Sequence, residues 1–165
     1  MDHSNTANTK LDKALRLFQE AYEHQLSGEL DEAITLYRAS IENHPTAEAH
    51  TFLGWTYSFQ GRLQDAIAEC RKAIEVDPEF GNPYNDIGAY LIEMERPDDA
   101  IPWLERATTA ARYESYQFPW FNLGRVYEAK EQLTRAIECF MQALQHDAGY
   151  APASKALRAA RLKIN

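Results

Sequence analysis

Apolar residues recur along this chain at three- and four-residue steps, the spacing of one face of a helix. Leu11, Ala14, Leu15, Phe18, Ala21 and Tyr22 form the first such face. Gly28 breaks that helix. A second face follows with Leu30, Ala33, Ile34, Tyr37 and Ile41, and it stops before Pro45, which drives the preceding residue out of helical geometry. The order then repeats. Ala21, Gly28, Ala33, Tyr37 and Pro45 reappear 33 residues later as Gly54, Gly61, Ala66, Cys70 and Pro78. A third unit starts near Gly81, with Gly88, Ala100 and Ala107 each 34 residues after Gly54, Ala66 and Ala73. Its turn, Met94 to Pro97, has no glycine, and Ala110 to Tyr116 replaces the closing proline. A fourth unit has Trp120, Leu123, Gly124 and Tyr127 on its first face and Ala136, Phe140 and Ala143 on its second. Gly124 lies 36 residues after Gly88, so about two residues are inserted before it. A last helix, Pro152 to Lys163, turns Ala153, Ala156, Leu157, Ala160 and Ile164 to one side and Lys155, Arg158 and Arg161 to the other. The pattern predicts nine helices and no strands.

The recurring small residues have a packing reason. Gly54, Gly88, Gly124 and Ala21 leave almost no side chain at one place on each first helix, and Ala33, Ala66, Ala100 and Ala136 do so on each second helix. Two helices can then approach closely, while Tyr57, Tyr127 and Phe140 fill the space beside the contact. One helix pair cannot bury both its faces, so pairs stack on their neighbours.

Leu53-Gly54-x2-Tyr57 and Trp120-x2-Leu123-Gly124-x2-Tyr127 are followed by Ala66-x3-Cys70 and Ala136-x3-Phe140, and Ala33-x3-Tyr37 and Ala100-x3-Leu104 share the second-helix form. This period and these residues resemble the tetratricopeptide repeat over roughly residues 10–148. The resemblance implies an all-α, right-handed superhelical α-solenoid of four helix-turn-helix units, about 14–46, 47–80, 81–114 and 117–148. A basic capping helix over 149–165 would follow them. Residues 1–9, rich in Ser, Asn and Thr, are expected to form a disordered tail. Glu20 and His24 stand where the repeat places Leu and Tyr, so looser packing is expected in the first unit. The Tyr-rich inserted segment is similar to one in some tetratricopeptide lipoproteins of bacterial pilus assembly, which are exported and lipidated, whereas this N-terminus shows no such signal.

Charge narrows the function classes. The net charge of −8 argues against nucleic acid, whose phosphates call for clustered Lys and Arg. It is unevenly spread. Residues 151–165 carry four basic and no acidic side chains, against 13 basic and 25 acidic in the other 150 residues. Such a basic tail can dock on its own body or on an acidic partner. Cys70 and Cys139 lie singly in different units, so no disulfide framework is indicated. The polar start, MDHSNTANTK, has no apolar run, which predicts a cytoplasmic protein without membrane insertion.

Catalytic chemistry finds no foothold. His3, His24, His44, His50 and His146 are scattered, and none is at metal-ligand spacing. His50 near a turn reads as solvated surface, Cys70 as packed and Cys139 as exposed. No Gly-rich phosphate loop, GxSxG or HExxH is present. Neither catalytic residues, a metal nor a cofactor is expected.

In the family that the chain resembles, the first helix of each unit lines a concave face. The corresponding stripes here are Phe18, Tyr22 and Gln25; Phe52, Trp55 and Phe59; Asn82, Asn85, Asp86 and Ala89; and Phe118, Phe121, Asn122 and Arg125. Phe18, Tyr22, Phe52, Trp55 and Phe59 would anchor a peptide or protein partner. Asn85 and Asn122 would bond its backbone, and Arg125 a carboxylate. Alternatively the aromatics pack between adjacent first helices. The Lys and Asn residues with which chaperone-binding members clamp a C-terminal carboxylate are replaced by Phe18, Tyr22 and Phe52, which excludes that partner class. A protein-interaction scaffold is the expected function, and a self-associating homo-oligomer is the alternative.

Overall fold

The computed structural model describes the backbone of residues 3–164 and the side chains of residues 8–164. It divides into two compact units, residues 1–78 and 79–165. Unit 1 holds α1 (His3–Leu26), α2 (Leu30–Asn43), α3 (Ala47–Phe59) and α4 (Leu63–Val76). In it α1 pairs with α2, α3 pairs with α4, and α3 also packs on both α1 and α2. Unit 2 holds α5 (Asn82–Glu93), α6 (Pro97–Thr108), α7 (Gln117–Ala129), α8 (Leu133–His146) and α9 (Ala151–Ile164). There α5 pairs with α6, α7 pairs with α8, α7 touches both members of the first pair, and α9 packs on α8. The nine expected helices are therefore all present among the described residues. The fold is an all-α helical solenoid. The expected disordered tail is corrected in part: α1 reaches back to His3, so the polar stretch continues the helix instead of preceding it. Residues 1–2 lie outside the described backbone.

Local chemistry sets the helix limits. Thr46 caps α3 by accepting the Ala49 N–H at 3.1 Å. Asp31 and Glu32, Asp65, and Asp98 and Asp99 occupy the first turns of α2, α4 and α6, where carboxylates favour the positive end of the helix. Pro97 opens α6, where its missing N–H costs nothing.

All four pairs are joined by the same tight turn. The amides of Glu29, Arg62, Arg96 and Gln132 each donate to the carbonyl five residues back, at 2.8 to 3.0 Å. Each turn needs one residue of left-handed backbone. Gly28 and Gly61 supply it at φ of 79° and 72°, whereas Glu95 and Glu131 adopt 59° with a side chain in place. The missing glycine of the third unit thus leaves its turn unchanged and adds strain, and the fourth unit shares it.

The close approaches inferred from the small residues are real. A Cβ on Gly54 would lie 2.9 Å from the Ala66 carbonyl oxygen, one on Gly88 2.4 Å from Leu104 Cδ2, and one on Gly124 2.3 Å from Phe140 Cε1. Ala21, Ala33, Ala66, Ala100 and Ala136 are fully buried, as are Tyr37, Cys70, Leu104 and Phe140, which complete the contacts. On α9, Ala160 and Leu157 join Ala136 and Phe140 in one cluster, with Phe121 and Tyr127 packed against it. Ile164 was expected on this face but is 53% exposed, because the helix runs past the surface it covers.

Where the third closing proline is missing, the chain pairs back on the start of its own unit. The Arg112 amide donates to the Glu79 carbonyl at 2.9 Å and the Gly81 amide to the Arg112 carbonyl at 3.0 Å, forming a single parallel bridge between Phe80 and Arg112. The Glu79 carboxylate accepts from Arg106 and from the Ala111 amide. The segment Ala110–Tyr116, which accommodates the insertion, is therefore a tied strap with one β-bridge and no longer strand among the described residues.

Two outcomes test this packing. Gly88→Ala is expected to lower stability by about 1–3 kcal/mol from overpacking against Leu104, although alanine is the better helix former. Glu131→Gly is expected to raise stability by roughly 1 kcal/mol, because it relieves a left-handed residue. Chemical denaturation of each variant beside the parent measures both.

Candidate functional site

Unit 1 gathers aromatic side chains from α1, α2 and α3 into one continuous row. Phe18 meets Phe52 edge-on with ring centres 5.3 Å apart, and Tyr22 meets the same ring at 5.6 Å. Phe52 continues to Trp55 at 5.7 Å, and Trp55 to Phe59 at 5.2 Å. Edge-to-face and tilted pairs of this kind are favourable beyond the area they bury. The row begins in the core, where Phe18 lies 5.5 Å from the fully buried Tyr37. It ends in solvent, with Trp55 40% and Phe59 56% exposed. Phe18, Tyr22 and Phe52 are half-buried and pack among these helices, whereas Trp55 and Phe59 face outward. The indole N–H of Trp55 makes no hydrogen bond among the described residues.

Two readings of α1 are corrected. Gln25, expected on the open stripe, is buried and accepts the Tyr37 hydroxyl at 2.7 Å. Burial, reinforced by nearby Tyr22, pushes the Tyr37 hydroxyl pKa well above its ordinary value. Leu15, read as a core position, is 52% exposed. With Leu26 at 67% it extends the apolar stripe of Phe18 and Tyr22 at helical spacing in both directions. The spacing 15, 18, 22, 26 is visible in the sequence but fits a buried face equally well.

Unit 2 presents a polar row instead. Asn122 donates through Nδ2 to Asn85 Oδ1 at 3.1 Å, joining α7 to α5, and Arg125 donates to Asn122 Oδ1 at 3.3 Å. Asn85 and Asn122 are buried, at 9% and 8% exposure, so they spend part of their bonding capacity on each other, contrary to the open stripe expected. Arg125 is exposed, with its guanidinium 6.0 Å from the Phe121 ring centre. Asp86 is half-buried beside Asn85. Burial pushes its carboxyl up to about 7, although the Asn85 hydrogen bond opposes the shift. A carboxylate held with so unfavourable a desolvation is a common mark of a working surface. Next to it the strap borders an open cleft of about 470 Å³ lined by Phe80, Asn82 and residues 111–115.

The remaining candidates are structural. His50 is buried rather than solvated. Its Nδ1–H donates to Glu69 Oε2 at 2.7 Å, and Lys72 donates to Glu69 Oε1 at 2.7 Å. The His50 bond ties α3 to α4, and the Lys72 bond lies within α4. Burial alone would raise the Glu69 pKa, but the hydrogen bonds from His50 and Lys72 overcome it and hold the carboxyl below its ordinary value. Cys139 is 7% exposed, not open, and burial raises its thiol to about 11, so little reactive thiolate forms near neutrality. Among the described residues no group of three His, Cys, Asp or Glu side chains could hold a metal. No helix among them is long and apolar enough to cross a membrane.

Glu69 makes a prediction possible. A depressed folded-state pKa contributes stability above the unfolded carboxyl value and loses it as pH falls through the folded value. The parent is therefore expected to lose stability below about pH 4.5 more steeply than Glu69→Gln does. Thermal midpoints measured from pH 7 to pH 3 compare the two slopes.

Comparison with known proteins bears on the repeats. Residues 47–80 and residues 118–150 each match a family model described as the tetratricopeptide repeat. Among solved structures, pilF of Pseudomonas aeruginosa superposes with a TM-score of 0.87 at 22% identity, covering 94% of this chain and 70% of that one. YrrB, described as a TPR protein with an unusual peptide-binding site, gives 0.69 at 23% identity, covering 91% and 77%. The first TPR of Spaghetti (RPAP3), bound to an HSP90 peptide, gives 0.66 at 19% identity, covering 72% and 93%. At these identities the likeness is one of fold.

Proposed function

We propose that this chain, a tetratricopeptide-repeat protein, is a scaffold that holds a peptide segment of a partner protein on its first-of-pair helices. The observation that carries the reading is the outward end of the aromatic row, Trp55 and Phe59. Aromatic rings fixed by neighbours lose little freedom on binding and serve well as interface anchors. Phe18, Tyr22 and Phe52 hold those anchors from behind. In unit 2 the exposed Arg125, positioned by its hydrogen bond to the buried Asn122, supplies a donor for a carboxylate. Structures of similar fold are described as peptide-binding or as bound to a peptide, which supports the same mode of use. The chaperone-type carboxylate clamp remains a poor fit, because Phe18, Tyr22 and Phe52 replace its polar groups. The partner expected here presents apolar side chains to unit 1. The chain acts through binding and carries out no chemical step.

The test is comparative capture from source-cell lysate with the parent and a Trp55→Ala/Arg125→Ala variant, both matched for helicity and monomer size. A partner retained by the parent and reduced at least about tenfold with the variant is expected, since losing an anchor costs about 2 kcal/mol or more. Identical captured sets would remove both rows from consideration.

A further inference from the structure

Two exposed features of this chain complement each other. The first is the aromatic row, which lies on an acidic unit. Residues 1–78 hold 13 acidic and 7 basic side chains, a net −6. The second is the end of α9. Residues 151–165 hold four basic and no acidic side chains. Lys163 pairs with Glu128 at 2.7 Å, but Lys155 and Arg158 form no ion pair or hydrogen bond among the described residues. Leu162 is 73% exposed, the most open large apolar side chain described, and Ile164 is 53% exposed. Lys155, Arg158 and Leu162 stand at i, i+3 and i+7, so cations and an aliphatic anchor share one stripe of the helix. An aliphatic anchor flanked by cations is complementary to an aromatic face carried on a unit of net negative charge.

We propose that the α9 end of one copy docks on the unit 1 aromatic row of a second copy. This rests on the reading of that row as a docking face, and it names an occupant. The two surfaces differ, so the contact is head-to-tail and leaves one free surface of each kind on every pair. Assembly then continues into short chains or closes into a ring. Only a helix end and a few rings meet, so the contact is small and weak, and its charges make it salt-sensitive. A partner peptide seated on Trp55 would compete with it.

Sedimentation equilibrium of the full chain tests this. The parent is expected to show an average mass that rises with concentration at low salt and falls back toward the monomer at about 0.5 M salt, where screening reaches only a few ångströms. Trp55→Ala and Leu162→Ala/Ile164→Ala change exposed side chains, so both should stay folded, and each alone is expected to remain monomeric. Mixed one to one, they should form a dimer and nothing larger, because each restores the surface that the other lacks. A parent that is monomeric at every soluble concentration overturns the proposal, as does a mixture that stays monomeric or variants that still assemble. Failure of the peptide-groove reading is separate. It would show as assembly through these two surfaces with no captured protein depending on Trp55, whereas a monomeric parent that still captures a Trp55-dependent partner sinks only the self-docking.

Discussion

The contact between a residue with no side chain on one helix and a bulky one on the next governs this structure. Gly88 against Leu104 and Gly124 against Phe140 bring helix backbones so near that a methyl group would overlap. At Gly54 the contact reaches the opposing backbone, the Ala66 carbonyl oxygen. Such contacts fix the register of each pair, because sliding either helix by one residue would drive a side chain into a backbone. The fully buried alanines of the second helices extend the same constraint.

The surface follows from that geometry. Each first helix commits one stripe to its partner, so its remaining stripe must meet a neighbouring first helix or solvent. In unit 1 that stripe is aromatic, and its rings lean on one another from the core at Tyr37 outward to Phe59. In unit 2 the stripe is mixed: Phe118 and Phe121 lean on Tyr150, and Asn85 and Asn122 join α5 to α7 with a hydrogen bond in place of a ring contact. One architecture thus yields an aromatic stripe and a mixed one, and substitutions on these stripes can change the exposed surface without touching the close contacts.

How much of this was legible in the sequence depended on the physical origin of each feature. Register was legible, because a glycine at a helix crossing is a local demand that recurs at a fixed period. The turns were only partly legible. A left-handed residue is signalled by glycine at Gly28 and Gly61, but Glu95 and Glu131 adopt it under tertiary pressure, and no local preference announces that. Burial at the edges was the weakest reading. His50 looks solvated because histidine near a turn commonly is, yet Glu69 recruits it across the pair. Leu15 and Ile164 carry core spacing but extend past what covers them, and Gln25 turns inward because Tyr37 offers it a hydroxyl. Within the candidate site, residue type identified the aromatic row, while the mutual bonding of Asn85 and Asn122 required the positions of two helices 37 residues apart.

The central claim is that the aromatic row ends in a rigid, solvent-facing anchor that a partner covers. Fluorescence quenching of Trp55 by acrylamide, in a Trp103→Phe/Trp120→Phe background and at dilute concentration, tests it most directly. The account predicts efficient quenching in the free chain and clear protection when a captured partner peptide is added. A Trp55 already shielded in the free monomer, or one whose quenching is unchanged by a bound partner, would contradict it.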